Sequence, residues 1–169
     1  KSESIQDIAL SIEAFTSESI AENMIEDISD LAEVVPGLVI DKGIGSGASY
    51  SMRGTGSYGV GAAVIGSIVT ASNGHSYNSS SIADVGFFDV ERIEVLKGPQ
   101  GTKFGRNAVG GIINMITARP TREFGGSYNI ELGNFSTQQF NAHINIPISD
   151  SIRTRLALVS KKRDGTTHN

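Results

Sequence analysis

Cysteine and tryptophan are absent from this 169-residue sequence, proline occurs only four times, and long apolar runs are missing. Without cysteine there is no disulfide framework, no thiol nucleophile and no Cys-type zinc site. A membrane-spanning helix needs roughly 18 or more consecutive apolar residues. The best candidate, Val60 to Val69, is broken by Gly61, Gly66 and Ser67. That test is blind to β-barrel strands, which alternate instead of running apolar. Positive charge is also scarce: Lys+Arg total 14 against 18 Asp+Glu, a net charge of −4. Nucleic acid is therefore not an expected partner, because phosphate binding wants a concentrated basic surface. What is abundant is glycine, 20 of 169 residues, well above the average of about 7%. With few prolines and no low-complexity period, that excess predicts many tight turns. The length fits about one domain of roughly 100–200 residues with a real core.

Residues 1 to 40 carry helix-and-strand patterning. Ile8, Leu10 and Ile12 alternate with Ala9, Ser11 and Glu13, which predicts a half-buried strand. Thr16 can cap a helix starting at Ser17, with Glu18 in its first turn. Asp27 is expected to cap a second helix, with Asp30 and Glu33 on its wet side. Ile28, Leu31 and Val35 would form its buried stripe, and Pro36-Gly37 would stop it. Leu38-Val39-Ile40 follows as a strand. From Gly43 to Gly61, glycines interleave with Ser, Thr and Tyr, predicting exposed loops around a brief strand at Tyr50 to Arg53. Asn73-Gly74 marks a tight turn. Val90 to Lys97 and Ile112 to Thr117 read as strands, ended by Gly98-Pro99 and Arg119-Pro120.

After Pro120 the pattern switches. Tyr128, Ile130 and Leu132 alternate with Ser127, Asn129 and Glu131, and Gly133-Asn134 turns the chain. Phe140, Ala142, Ile144 and Ile146 alternate with Gln139, Asn141, His143 and Asn145. Pro147 to Asp150 makes a shorter turn, after which Ile152, Leu156 and Leu158 alternate with Arg153 and Arg155. Strands of about ten residues with one apolar and one polar face suit a transmembrane barrel. An antiparallel sheet with one face on a core gives the same alternation.

Little in the sequence suggests chemistry. Gly54 to Gly59 fits G-x-G-x-x-G, but a dinucleotide site also wants a helix opening at the third Gly and an acid about 20 residues on. The stretch from Gly59 to Gly66 is a poor helix, and the next carboxylate is Asp84. No phosphate loop and no G-x-S-x-G elbow is present. The three histidines, at 75, 143 and 168, are scattered and lack carboxylates at ligand spacing. No enzyme, catalytic residue, cofactor or metal is expected.

Glu91-Arg92-Ile93-Glu94-Val95-Leu96-Lys97-Gly98-Pro99-Gln100-Gly101-Thr102 runs on through Lys103-Phe104-Gly105-Arg106-Asn107-Ala108-Val109-Gly110-Gly111-Ile112-Ile113-Asn114-Met115-Ile116-Thr117. This stretch strongly resembles the plug signature of TonB-dependent outer-membrane receptors. Pro36-Gly37-Leu38 and Met52-Arg53-Gly54 match two further elements of that family in order, and Asn73-Gly74 stands where the family usually has Asp-Gly. Ser4 to Asp7 through Thr16 resembles the residues just after the energy-coupling box.

The resemblance implies an α+β plug over residues 1–120, a small mixed sheet with short helices and Gly-rich loops. Residues 121–169 would open an antiparallel transmembrane barrel of about 22 strands that the plug fills. Asn129, Glu131, Gln139, Asn141, His143, Arg153 and Arg155 would then face the lumen. Tyr128, Ile130, Leu132, Phe140, Ile144, Ile146, Leu156 and Leu158 would face outer-membrane lipid, Pro147 to Asp150 being a periplasmic turn. The implied activity is energy-coupled uptake of a scarce nutrient of the siderophore, cobalamin, haem or carbohydrate class, with no chemistry on it. The TonB energy-coupling protein would pull on a box lying before Lys1.

Arg53 and Lys97, with Arg92 and Glu94, are the expected plug-anchoring residues; local pairs of Arg53 or Arg92 with Glu91 or Glu94 are the alternative. Ser46, Ser49, Tyr58, His75, Tyr77 and Asn78 are the expected ligand contacts on outward loops. Gly54, Gly98, Pro99, Gly101, Gly105, Asn107, Gly110, Gly111 and Asn114 are expected to be structural. Departures are Asn73 itself and a stretch from Gly54 to Asn73 that looks longer than usual. A free-standing soluble periplasmic plug-like binding or signalling protein is the alternative.

Overall fold

A computed structural model describes residues 11–42, 48–56, 67–77, 87–104 and 108–164. Two compact units divide the chain, Lys1–Thr117 and Ala118–Asn169.

The first unit is built on a five-stranded sheet of β1 (Ser11–Thr16), β5 (Ile68–Ser72), β6 (His75–Tyr77), β7 (Val90–Lys97) and β8 (Gly111–Thr117). Their order across the sheet is β1-β7-β8-β5-β6. Only the β5·β8 pair is parallel. A second sheet holds β2 (Leu38–Lys42), β3 (Ala48–Met52) and β4 (Thr55–Gly56) in that order. The helices are single turns or little more: α1 (Ser17–Glu22), α2 (Leu31–Val34) and α3 (Gly101–Phe104).

Thr16 caps α1 as expected, its hydroxyl accepting the Ser19 N–H at 3.3 Å. The expected helix from Asp27 is mostly a turn. Asp27 Oδ1 accepts from Ser29 N, and Asp30 Oδ2 accepts from the backbone of Glu26 and Asp27. Short acidic side chains here compete with the helical ladder, so only Leu31–Val34 is helical and Asp30 turns inward to the backbone. The apolar stripe is nonetheless correct: Ile28, Leu31 and Val35 are all buried.

Those three join Ile25, Leu38, Tyr50, Met52, Ile68, Ile93, Val95 and Ile113 in the main core. A smaller core of Val69, Ala71, Leu96, Ala108 and Ile112 also forms. Successive residues in β5, β7 and β8 point to opposite faces, so these central strands are covered on both sides. That explains their near-continuous apolar runs.

Two tight hairpins are the two-residue kind with positive φ at both positions. Asn73 and Gly74 (φ 51° and 82°) join β5 to β6, and Arg53 and Gly54 (φ 53° and 76°) join β3 to β4. Arg53 is therefore a turn residue instead of the end of a strand.

The second unit is an antiparallel sheet of β9 (Gly125–Gly133), β10 (Thr137–Pro147) and β11 (Arg153–Lys162), ordered β11-β10-β9. The turn between β9 and β10 spans Asn134–Ser136, with Gly133 still paired to Thr137. Register fixes its faces. Phe140 lies opposite Ile130 and Ser160, Ala142 opposite Tyr128 and Leu158, and Ile144 opposite Leu156. On the other face Asn141 meets Asn129, Gln139 meets Glu131, His143 meets Ser127, and Asn145 meets Arg155. The apolar face is largely exposed: Tyr128 is 75% and Leu132 76% exposed and Ile130, Leu156 and Leu158 are exposed as well, while Phe140, Ala142 and Ile144 of the central strand are half-buried.

Candidate functional site

One corner of the first unit gathers the glycine motifs. The Pro36-Gly37 turn, the Arg53-Gly54 hairpin and the Lys97-Gly98 strand end are far apart in sequence. Here the Gly37 carbonyl accepts the Arg53 N–H at 2.9 Å, and the Pro36 carbonyl accepts from Lys97 Nζ at 3.1 Å. Lys97 Nζ also pairs with Glu13 Oε1 of β1 at 2.5 Å. The Lys97 side chain is only 5% exposed and Glu13 34%, so the ion pair is half shielded from water. An ammonium this deep needs such a partner.

The strand end is closed from behind. Gly98 N donates to Gly110 O, Gln100 N to Ala108 O, and Gly110 N to Ser67 O. Gly111 lets Met52 pack against β8. A Cβ on it would meet the Leu96 carbonyl oxygen at 2.5 Å and Met52 Sδ at 2.7 Å, at a φ of +153°.

At the opposite end of the sheet lies a polar string. Arg92 Nε donates to Glu94 Oε1 at 2.8 Å, and Arg92 Nη1 to Glu91 Oε1 at 2.6 Å. The Glu94 hydrogen bond, helped by the charges of Glu94 and Glu91, raises the Arg92 pKa further above its ordinary value despite some desolvation. Glu94 Oε2 accepts from buried Asn114 Nδ2, and Asn114 Oδ1 accepts the Gly74 N–H. Asn73 grips the end of β8 from both sides: its Oδ1 accepts Thr117 N–H and its Nδ2 donates to Thr117 Oγ1, both at 3.1 Å.

A five-stranded sheet with glycine turns at its ends, in a chain that continues into strands with a largely exposed apolar face, is what a plug leading into a barrel would show. Residues 4–112 match the TonB-dependent receptor plug domain family.

The chain belongs to this family.

The plug match covers more than half of the chain, and relatives extend it. An iron-regulated outer membrane virulence protein of Vibrio cholerae is 27% identical over 172 residues, covering 95% of this chain and 26% of its own length. The catecholate siderophore receptor Fiu of Escherichia coli is 32% identical over 97 residues, 54% of this chain and 13% of that receptor. The crystal structure of the ferric yersiniabactin uptake receptor FyuA from Yersinia pestis superposes with a TM-score of 0.80 at 24% identity, over 89% of this chain and 24% of that one. This chain thus spans about a quarter or less of each relative. The fold is the plug followed by opening strands of the barrel.

Within the plug, the four charged residues separate. Arg92 and Glu94 pair with each other, Lys97 pairs with Glu13, and Arg53 is exposed with no ion pair among the described residues. Glu13 was not anticipated. It lies 84 positions from Lys97, and nothing local in an alternating strand marks its partner. Of the expected ligand residues, Ser46, Tyr58 and Asn78 lie outside the described residues, as do Gly105 and Asn107. Ser49 is half-buried in β3 opposite Asp41. His75 is exposed in β6 beside the Asn73 turn, and Tyr77 ends that strand. Because β7 and β8 are antiparallel, with Lys97 opposite Gly111 and Val90 opposite Thr117, His75 and Lys97 sit at opposite ends of the sheet.

Proposed function

We propose that this chain is the plug and first barrel strands of an outer-membrane receptor that imports a scarce nutrient by energy-coupled plug movement. The single observation that carries the reading is continuity. A plug-family sequence runs directly into strands of barrel length whose apolar face has no cover among the described residues. Water-soluble sheets do not leave such a face bare, whereas lipid would cover it.

The relatives' names favour a ferric siderophore as the ligand, ahead of the cobalamin, haem and carbohydrate classes. Ligand contacts would come from Ser46, Ser49, Tyr58, Tyr77 and Asn78; His75, beside the end from which the chain leaves the plug, is the weakest member of that set. Anchoring to barrel carboxylates falls to Arg53, since Lys97 already has Glu13. The partner on the periplasmic side would be TonB, engaging a segment ahead of Lys1. None of these steps makes or breaks a bond in the nutrient.

A strain deleted for the full-length gene tests this. It should lose growth on at least one ferric siderophore as sole iron source and regain it with the gene restored. Unchanged growth on every iron, cobalamin, haem and carbohydrate source would refute the reading.

A further inference from the structure

We propose that Asn73-Gly74 is a site of spontaneous chemical modification, deamidation to aspartate and isoaspartate, which strand β8 holds shut for as long as the plug stays folded. The pair is the single Asn-Gly in the sequence. It sits exposed to water at the tip of the hairpin joining β5 to β6. Glycine matters here because it brings no side chain to shield the backbone nitrogen that starts the reaction.

The chemistry needs only water. The Gly74 backbone nitrogen gives its proton to solvent and attacks Asn73 Cγ. A new C–N bond forms, the carboxamide C–N bond breaks, and the side-chain nitrogen leaves as ammonia. Water then opens the resulting cyclic imide. Breaking the new Cγ–N bond leaves aspartate. Breaking the original backbone C–N bond leaves isoaspartate, whose main chain now runs through Cβ and Cγ. In either case one water is consumed and one ammonia released.

The fold blocks the first step from both sides, with contacts from β8. The Gly74 N–H, whose proton must be lost, donates to Oδ1 of buried Asn114 at 3.1 Å. The carboxamide under attack is clamped to Thr117, its Oδ1 accepting from the backbone N–H and its Nδ2 donating to the hydroxyl. The Asn73 N–H donates to the Met115 carbonyl at 2.8 Å. Nucleophile and electrophile are thus tied to different residues of β8, and the left-handed turn fixes the peptide plane between them. Undocking of β8 from this turn removes all of these restraints together.

The products differ in consequence. Aspartate can still accept from both Thr117 groups. Isoaspartate lengthens the main chain inside a two-residue hairpin whose geometry is set by its length, so a chain modified that way cannot reseat its turn against β8. The site therefore registers time spent with β8 away, before folding or in any later opening of the sheet. These contacts lie inside the plug, so the inference stands apart from the uptake reading.

The test incubates the folded full-length receptor and a synthetic peptide of residues 70–77 in the same neutral buffer. Fragmentation mass spectrometry then reads conversion at position 73, with isoaspartate quantified separately. The peptide should convert, and the folded receptor at least about tenfold more slowly, because several hydrogen bonds must open together. Asn114→Leu frees the Gly74 N–H at similar volume and should speed conversion in the folded receptor by about fivefold or more. Thr117→Val removes only the hydroxyl; it should also speed conversion, and it carries the test if Asn114→Leu does not fold. Thr16→Ala, which uncaps α1, should leave the rate unchanged. Equal rates in peptide and folded receptor, no acceleration in either β8 variant, or equal acceleration in Thr16→Ala would each overturn the proposal.

Discussion

A methyl group at position 111 would collide with the Leu96 carbonyl and with Met52 Sδ while demanding a backbone angle that side chains avoid. Overpacking of this kind costs about 1–3 kcal/mol. Gly111→Ala should therefore lower plug stability by that order, read as faster amide exchange in β7 and β8 of the full-length receptor. Asn73 offers a finer contrast. It accepts from the Thr117 N–H and donates to the Thr117 hydroxyl. A carboxylate could accept from both, since the hydroxyl hydrogen can rotate toward it. Asn73→Asp is therefore expected to be close to neutral, whereas Asn73→Ala loses both bonds and places a branched-free but Cβ-bearing residue at φ 51°. That change should cost roughly 1–2 kcal/mol, measured as faster exchange at Thr117. The tolerance explains how Asn can stand at a position where the family pattern favours Asp.

Elements differ in how openly their sequence announces them. The strands β9 to β11 were legible down to the facing of single residues, because one face is polar and the other apolar, and a slip of one residue would invert every side chain. The central strands β5 and β8 were legible as extended runs, but not their neighbours. With both faces covered, Ile112 and Ile113 look alike in sequence while serving different cores. The stretch from Asp27 to Val35 shows the converse: its buried stripe at i, i+3 and i+7 was right, but Asp27 and Asp30 divert the backbone into turns. The expected ligand contacts were the least legible, since loop positions carry no periodicity. At this scale α1 gives a direct test. Removing its cap with Thr16→Ala should cost about 0.5–2 kcal/mol, seen as faster exchange of the Ser19 amide with β8 unaffected.

For the whole molecule, the bare face of the second unit and the exposed guanidinium of the first make separate predictions. Ile130 lies mid-strand on the apolar face of β9. If lipid covers that face, Ile130→Arg in the full-length receptor should destabilise the membrane-folded state by about 2–4 kcal/mol, detected as a shifted denaturant midpoint for folding into lipid vesicles; Asn129→Arg, on the opposite face, should shift it much less. Arg53→Ala should leave the receptor inserted but leaky to small solutes or poor at uptake. Wild-type tightness and uptake in that variant would remove the anchoring role.

The strand order also constrains how the protein comes into being. In β1-β7-β8-β5-β6, the seam joining the two halves of the sheet is β8, the last strand of the plug to leave the ribosome. Until residue 117 has emerged, β5 and β6 can form only a local hairpin, and β1 must wait for a partner some 80 residues downstream. Such late, long-range closure slows folding and leaves unpaired edges open to aggregation. The nascent polypeptide is thus suited to travel unfolded under chaperone protection, with the keystone of its sheet set only after synthesis of the whole segment.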